Sequence, residues 1–124
     1  MAPLERDLVG ECLVHISGEL VTAWARLLED QNPLHGEDSG LIVPGPALLA
    51  FIFSFVGTLP GEFRTCPSVI TRFRSIVRAP CDIRIAAYVA ENSEPAENSF
   101  EIDVVLSLNG QEAVLSAFRR DSKI

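Results

Sequence analysis

The stretch Ala47-Leu48-Leu49-Ala50-Phe51-Ile52-Phe53-Ser54-Phe55-Val56 decides how this chain folds. It forms the middle of Leu41 to Leu59 and is apolar on every side, which places it inside the protein. Pro44 and Pro46 stand near its start, and Gly57 and Pro60 near its end. Proline is tolerated in the first turn of a helix and Gly or Pro marks the exit, so the stretch reads as a buried helix of about three to four turns. A buried strand pair is the alternative, because Phe, Ile and Val suit strands while Ala and Leu suit a helix.

Downstream the period changes from helical to alternating. Ser68 to Val77, Cys81 to Val89 and Phe100 to Leu108 read as half-buried antiparallel strands. The last is clearest: Phe100, Ile102, Val104, Leu106 and Leu108 face one way, and Glu101, Asp103 and Ser107 the other. Asn109-Gly110 is a strong hairpin signal leading into a final strand from Glu112 to Arg119, and Glu91 to Ser99 is a polar, acidic loop. Upstream, Cys12 to Ile16 reads as a strand and Leu20 to Glu29 as an amphipathic helix. Ser17 is its N-cap, Glu19 lies in the first turn, and Leu20, Trp24 and Leu27 or Leu28 form its apolar face. One helix apolar all round and about five antiparallel strands leave few ways to bury everything. The fold class is α+β, a sheet wrapped around a central helix, forming one domain over residues 1–124. Such a sheet leaves edges and one end of the helix needing cover, so a homodimer is expected.

The composition bounds the partners. Ten Lys and Arg against 17 Asp and Glu give a net charge of −7, which lacks the basic excess that binding a phosphate backbone needs. Nucleic acid is not expected as a partner on this ground. The segment Met1 to Gly10 carries alternating charges and no apolar run approaches the roughly 20 residues of a membrane span, so a cytoplasmic protein without membrane insertion is expected. Cys12, Cys66 and Cys81 are odd in number and lack C-x-x-C spacing, so they read as small buried residues, with no metal site and no disulfide framework.

Pro33 disfavours helix at Asn32 and the residues after it form turns, so the upstream helix gives way to the loop Asp30-Gln31-Asn32-Pro33-Leu34-His35. A carboxylate, a carboxamide and an imidazole in one stiffened loop suit proton transfer. The carboxylate can polarise a water, the imidazole can give or take a proton, and Asn32 can fix the loop by bonding backbone groups. Taken alone, the same residues also fit a plain surface turn.

In context, Asp30-x-Asn32-Pro33-x-His35 carries a resemblance. It is preceded by a leucine-rich helix end and followed by Ile42-Val43-Pro44-Gly45 and an apolar helix closing on Leu59-Pro60-Gly61. This arrangement resembles the hydratase motif of the MaoC-like hydratases and dehydratases, hot-dog-fold proteins related to the (R)-specific enoyl-CoA hydratases. Arg72-Phe73-Arg74-Ser75-Ile76-Val77-Arg78-Ala79-Pro80 followed by Asp82-Ile83 is similar to a strand of that family, so the likeness runs from about Glu19 to Val89.

The resemblance implies a hydro-lyase that adds water to a trans-2-enoyl thioester, or removes it from an (R)-3-hydroxyacyl thioester, on coenzyme A or an acyl carrier protein. It implies Asp30 and His35 as the catalytic pair around one water, Asn32 and Gly45 as substrate-binding residues, and no cofactor. Gly45 matches the family glycine whose N–H points at the thioester oxygen, and a helix N-terminus offers such a donor without a charged side chain.

Three departures stand out. Only eight residues separate His35 from Pro44, Pro44 stands where a histidine commonly precedes the glycine, and Ala50 stands where some members carry a hydroxyl. The dehydratases of fatty-acid synthesis need an acidic residue in the helix, and none occurs from Ala47 to Val56. A thioesterase on the same fold and a non-catalytic acyl-binding dimer are the alternative functions. Arg72, Arg74, Arg78, Arg84, Arg119 and Arg120 are candidates for coenzyme A phosphates or an acidic carrier, or simply solvated strand charges. His15, between Leu13-Val14 and Ile16, reads as a packed or surface strand residue.

Overall fold

The computed structural model describes residues 7–27, 41–63, 68–90 and 101–120. Alternation in the second half of the chain becomes a five-stranded antiparallel sheet with strand order β1-β5-β6-β7-β3. Its members are β1 (Leu8–Ile16), β3 (Ser68–Phe73), β5 (Cys81–Val89), β6 (Ile102–Leu108) and β7 (Gln111–Arg119). A second, two-stranded sheet pairs β2 (Leu41–Ile42) with β4 (Arg78–Ala79). The helices are α1 (Gly18–Leu27) and α2 (Gly45–Val56).

The residues that alternate inward are the ones that bury α2. Ile83, Ile85 and Ala87 of β5, Ile102, Val104 and Leu106 of β6, and Val114 and Phe118 of β7 share one cluster with Ala47, Leu48, Ile52, Phe55 and Val56 of α2. A period of two puts every second side chain on one face, so the sheet offers the helix a continuous apolar surface. Asn109 and Gly110 both take positive φ, 53° and 81°, the geometry a two-residue hairpin demands. Gly110→Ala should therefore cost about 1 kcal/mol, read as a lower unfolding midpoint, although nothing surrounds the added methyl within 4 Å.

Several expectations need correction. The helix expected to be apolar and buried all round opens on one side: Phe53 is 46% exposed and Ser54 is exposed too. Leu27 is exposed, so α1 packs through Leu20, Val21 and Trp24, while Leu28 and Glu29 lie outside the described residues. Ser17 does cap α1, its Oγ accepting the Leu20 N–H at 3.0 Å. The alternation from Ser68 to Val77 is not one strand. After Phe73 the N–H groups of Arg74 and Ser75 both donate to the Ala113 carbonyl, and the chain then crosses to β4, where the Val77 carbonyl accepts the Val43 N–H. Cys12 and Cys81 are only half-buried and are free thiols, and Cys66 lies outside the described residues.

Candidate active site

Asp30, Asn32 and His35 fall outside the described residues, and so does the acidic loop with Glu91, Glu94 and Glu97. The elements that hold both ends of segment 28–40 are described. One end leaves α1 at Leu27; the other returns as β2, where Leu41 lies against Gly18 at the start of α1. Three residues after Ile42 the chain enters α2 at Gly45.

Gly45 stands at a helix start with few free donors. Pro44 is the N-cap and makes no side-chain hydrogen bond, and Pro46 has no N–H. The N–H groups of Ala47 and Leu48 both donate to the Pro44 carbonyl, at 3.0 and 3.2 Å. Among the described residues the Gly45 N–H meets no acceptor, and it lies at the positive end of the α2 dipole. The need for glycine is steric. A Cβ here would lie 3.3 Å from Phe73 Cζ and 3.4 Å from Cε1.

From Gly45 a seam runs between α2 and the edge strand β3. At one end Phe73 meets Gly45; at the other Phe53 packs edge to face on Phe118, ring centroids 6.1 Å apart, and Phe118 pairs with Val69 of β3. The eight residues from Gly45 to Phe53 span about 12 Å at 1.5 Å per residue, and Phe73 back to Val69 about 13 Å at 3.3 Å per residue. The two sides therefore match in length. Between the ends, Thr71 Oγ1 and the buried Ser116 Oγ lie 2.8 Å apart, so the Ser116 hydroxyl is satisfied without water. This line therefore has Gly45 and Phe73 at one end, Phe53 and Phe118 at the other, and the Thr71–Ser116 hydroxyl pair between them.

Four of the six candidate arginines, Arg84, Arg119, Arg74 and Arg72, sort into two groups. Arg84 donates to Glu11 and, at 3.3 Å, to the Tyr88 hydroxyl, and hydrogen bonds to Tyr88 and then Glu11 push its pKa up. Arg119 donates to Asp103 at 2.9 Å and to the Ile102 and Phe118 carbonyls. These two hold the outer face of the sheet together. Arg74 stands 3.8 Å from Glu112, and Arg72 is exposed. His15 is a surface residue, its Nδ1 2.7 Å from Asp82 Oδ1 across the β1–β5 pair. Burial pushes the Cys12 thiol up, and burial and then the Asp82 charge do so at Cys81, which leaves neither activated as a nucleophile.

A cavity of about 660 Å³ lies on the outer face, lined by Leu13, Arg84, Tyr88, Asp103, Val105 and Leu115, away from Gly45. Sequence reading gave no sign of it, because it comes from the outward positions of four strands. Among the described residues no three His, Cys, Asp or Glu side chains are grouped to hold a metal, and no helix is long and apolar enough to cross a membrane.

A small antiparallel sheet wrapped on one central helix is the hot-dog fold, and solved structures with this architecture are similar to the chain over most of its length. The (R)-hydratase from A. caviae involved in PHA biosynthesis aligns with a TM-score of 0.70 at 20% identity, covering 94% of this chain and 96% of that chain. R-hydratase PhaJ1 from Pseudomonas aeruginosa, in its unliganded form, gives 0.71 at 19%, covering 88% and 76%. The MaoC-like dehydratase from Rhodospirillum rubrum gives 0.69 at 12%, covering 98% and 99%. No protein-family model and no curated protein sequence matches the chain. The chain thus has the fold of the MaoC-like hydratases and dehydratases, the fold that the Asp30 to His35 motif implied.

Proposed function

We propose that the protein is a hydro-lyase acting on acyl thioesters, carried on coenzyme A or on an acyl carrier protein. The observation that carries this reading is the Gly45 N–H at the start of the central helix α2, a donor that meets no acceptor among the described residues. The sequence motif supplies the proton chemistry in the loop that returns through β2 to the same helix. In the hydration direction Asp30 takes a proton from the water as its oxygen bonds to C3 of the trans-2-enoyl group. Electron density moves onto the thioester oxygen, which the Gly45 N–H stabilises, and His35 delivers the second proton to C2. Water is added across one double bond, and no redox equivalent is used. Asn32 holds the loop by bonding its backbone. The acyl chain lies in the seam toward Phe53 and Phe118. Running the reaction backwards tests this: (R)-3-hydroxybutanoyl-CoA should develop the enoyl absorbance and the (S)-isomer should not. Equal rates with both isomers would count against the site as described.

The assembly we propose is a homodimer through β3. This strand is a sheet edge, and Val69, Ile70 and Phe73 on it, with Phe53 and Ile76 beside it, are large apolar side chains exposed in the protomer. An open apolar edge is a template for pairing, and a second copy satisfies both its backbone groups and its side chains. Ile70→Lys should shift the mass in solution from dimer to monomer, measured by light scattering. An unchanged dimer would place the contact elsewhere.

A further inference from the structure

The outer face of the sheet, the one α2 leaves uncovered, carries two cavities that share Leu115 and Asp103 as a common border. The larger, about 660 Å³, has the usual size of a small-molecule site and takes in Arg74, Ser107 and Asn109 toward the β6–β7 hairpin. The smaller, about 230 Å³, takes in Arg72, which stands opposite Leu115 in the β3–β7 pair. Val105 and Leu115, opposite each other across β6 and β7, give an aliphatic floor. Several charges on this face are already engaged: Arg84 with Glu11, Arg119 with Asp103, and His15 with Asp82. Arg72 differs, since its guanidinium has no hydrogen bond or ion pair among the described residues. Arg74 stands 3.8 Å from Glu112, beyond hydrogen-bond length. The side chains of Ser107 and Asn109 likewise meet no partner among the described residues. Arg72 and Arg74 are two residues apart on one face, about 7 Å at 3.3 Å per residue.

We propose that these two cavities form a binding site for a nucleoside phosphate, independent of the hydratase reading. Its phosphates lie against Arg72 and Arg74, whose planar guanidinium groups match phosphate oxygens in pairs. Its base and sugar rest on Val105 and Leu115, where the Ser107 hydroxyl and the Asn109 carboxamide bond their polar edges. Charge selects the ligand class: in a chain of net charge −7, one unpaired and one loosely paired cation stand side by side at a cavity, and an anion satisfies both. This chemistry has two sources, the nucleotide end of a coenzyme A thioester and a free nucleotide.

Calorimetric titration of the whole protein with ADP, coenzyme A, adenosine and inorganic phosphate tests the site. ADP should bind at least about tenfold more tightly than adenosine or phosphate, because it alone uses both the floor and the two cations. Arg72→Gln should weaken ADP binding about tenfold and leave the melting temperature unchanged, since Arg72 has no partner to lose. Glu112→Gln should act in the opposite direction, tightening ADP about threefold, because it removes the carboxylate that competes for Arg74. Two further substrates separate the sources. A higher KM in Arg72→Gln for crotonyl-CoA but not for crotonyl-pantetheine, which lacks the nucleotide, would assign the site to the substrate's carrier. Unchanged KM for both, with ADP binding weakened, would assign it to a free nucleotide. Wild-type protein that binds neither ADP nor coenzyme A at millimolar concentration would overturn the site, and so would shifts of the same sign in Arg72→Gln and Glu112→Gln. A protein that hydrates no enoyl thioester would still bind ADP, so the two readings fail separately.

Discussion

Asp30→Asn is expected to lower the rate of crotonyl-CoA hydration by a factor of about 10²–10⁴, with the melting temperature little changed. Asparagine keeps the size and hydrogen-bonding reach of the side chain but cannot take a proton from water. His35→Ala should fall in the same range, because the second proton then has no donor. The double variant should be scarcely worse than either single one, since residues that act as a unit are not additive. Steady-state kinetics should show the loss in kcat, with KM nearly unchanged. Full activity in either single variant would remove that residue from the mechanism.

Ile52→Ala should be strongly destabilising. Ile52 is fully buried where the helix meets the sheet, and truncating a buried Ile costs about 2–5 kcal/mol through lost transfer energy and a residual cavity. The adjacent Phe53→Ala should cost much less stability, since Phe53 lies on the open side of the helix. Urea unfolding of the pair separates the two cases. A cost below about 1 kcal/mol for Ile52→Ala would contradict a core built by a sheet closing on α2.

The contrast between Ile52 and Phe53 also marks what the sequence could convey. Where one face of an element is polar, as in Ile102 to Leu108, alternation names the buried residues, and the structure buries Ile102, Val104 and Leu106. Where a helix is apolar on all sides, no periodicity says which face lies open, so the exposure of Phe53 could not be read. Alternation also ran unbroken through Arg74 to Val77 because it records side-chain character and not pairing; the transfer to β4 is set by hydrogen bonds to Ala113 and Val43.

The site divides in the same way. Gly45 was legible because two prolines flank it at a helix start, a local signal. Phe73 as its neighbour was not, because 28 positions of chain separate them and only the packing of α2 on β3 brings them together. Asp30 and His35 were legible as a motif. Their chemistry stands as a proposal, tied to the described fold through α1 and β2.

The most direct measurement is the reaction of the wild-type protein with crotonyl-CoA, following enoyl absorbance and free thiol in the same sample. The hydratase account predicts loss of absorbance with no thiol released. Thiol appearing in step with substrate loss would make the protein a thioesterase, and no change with either the coenzyme A or a carrier-linked thioester would contradict the hydratase account outright.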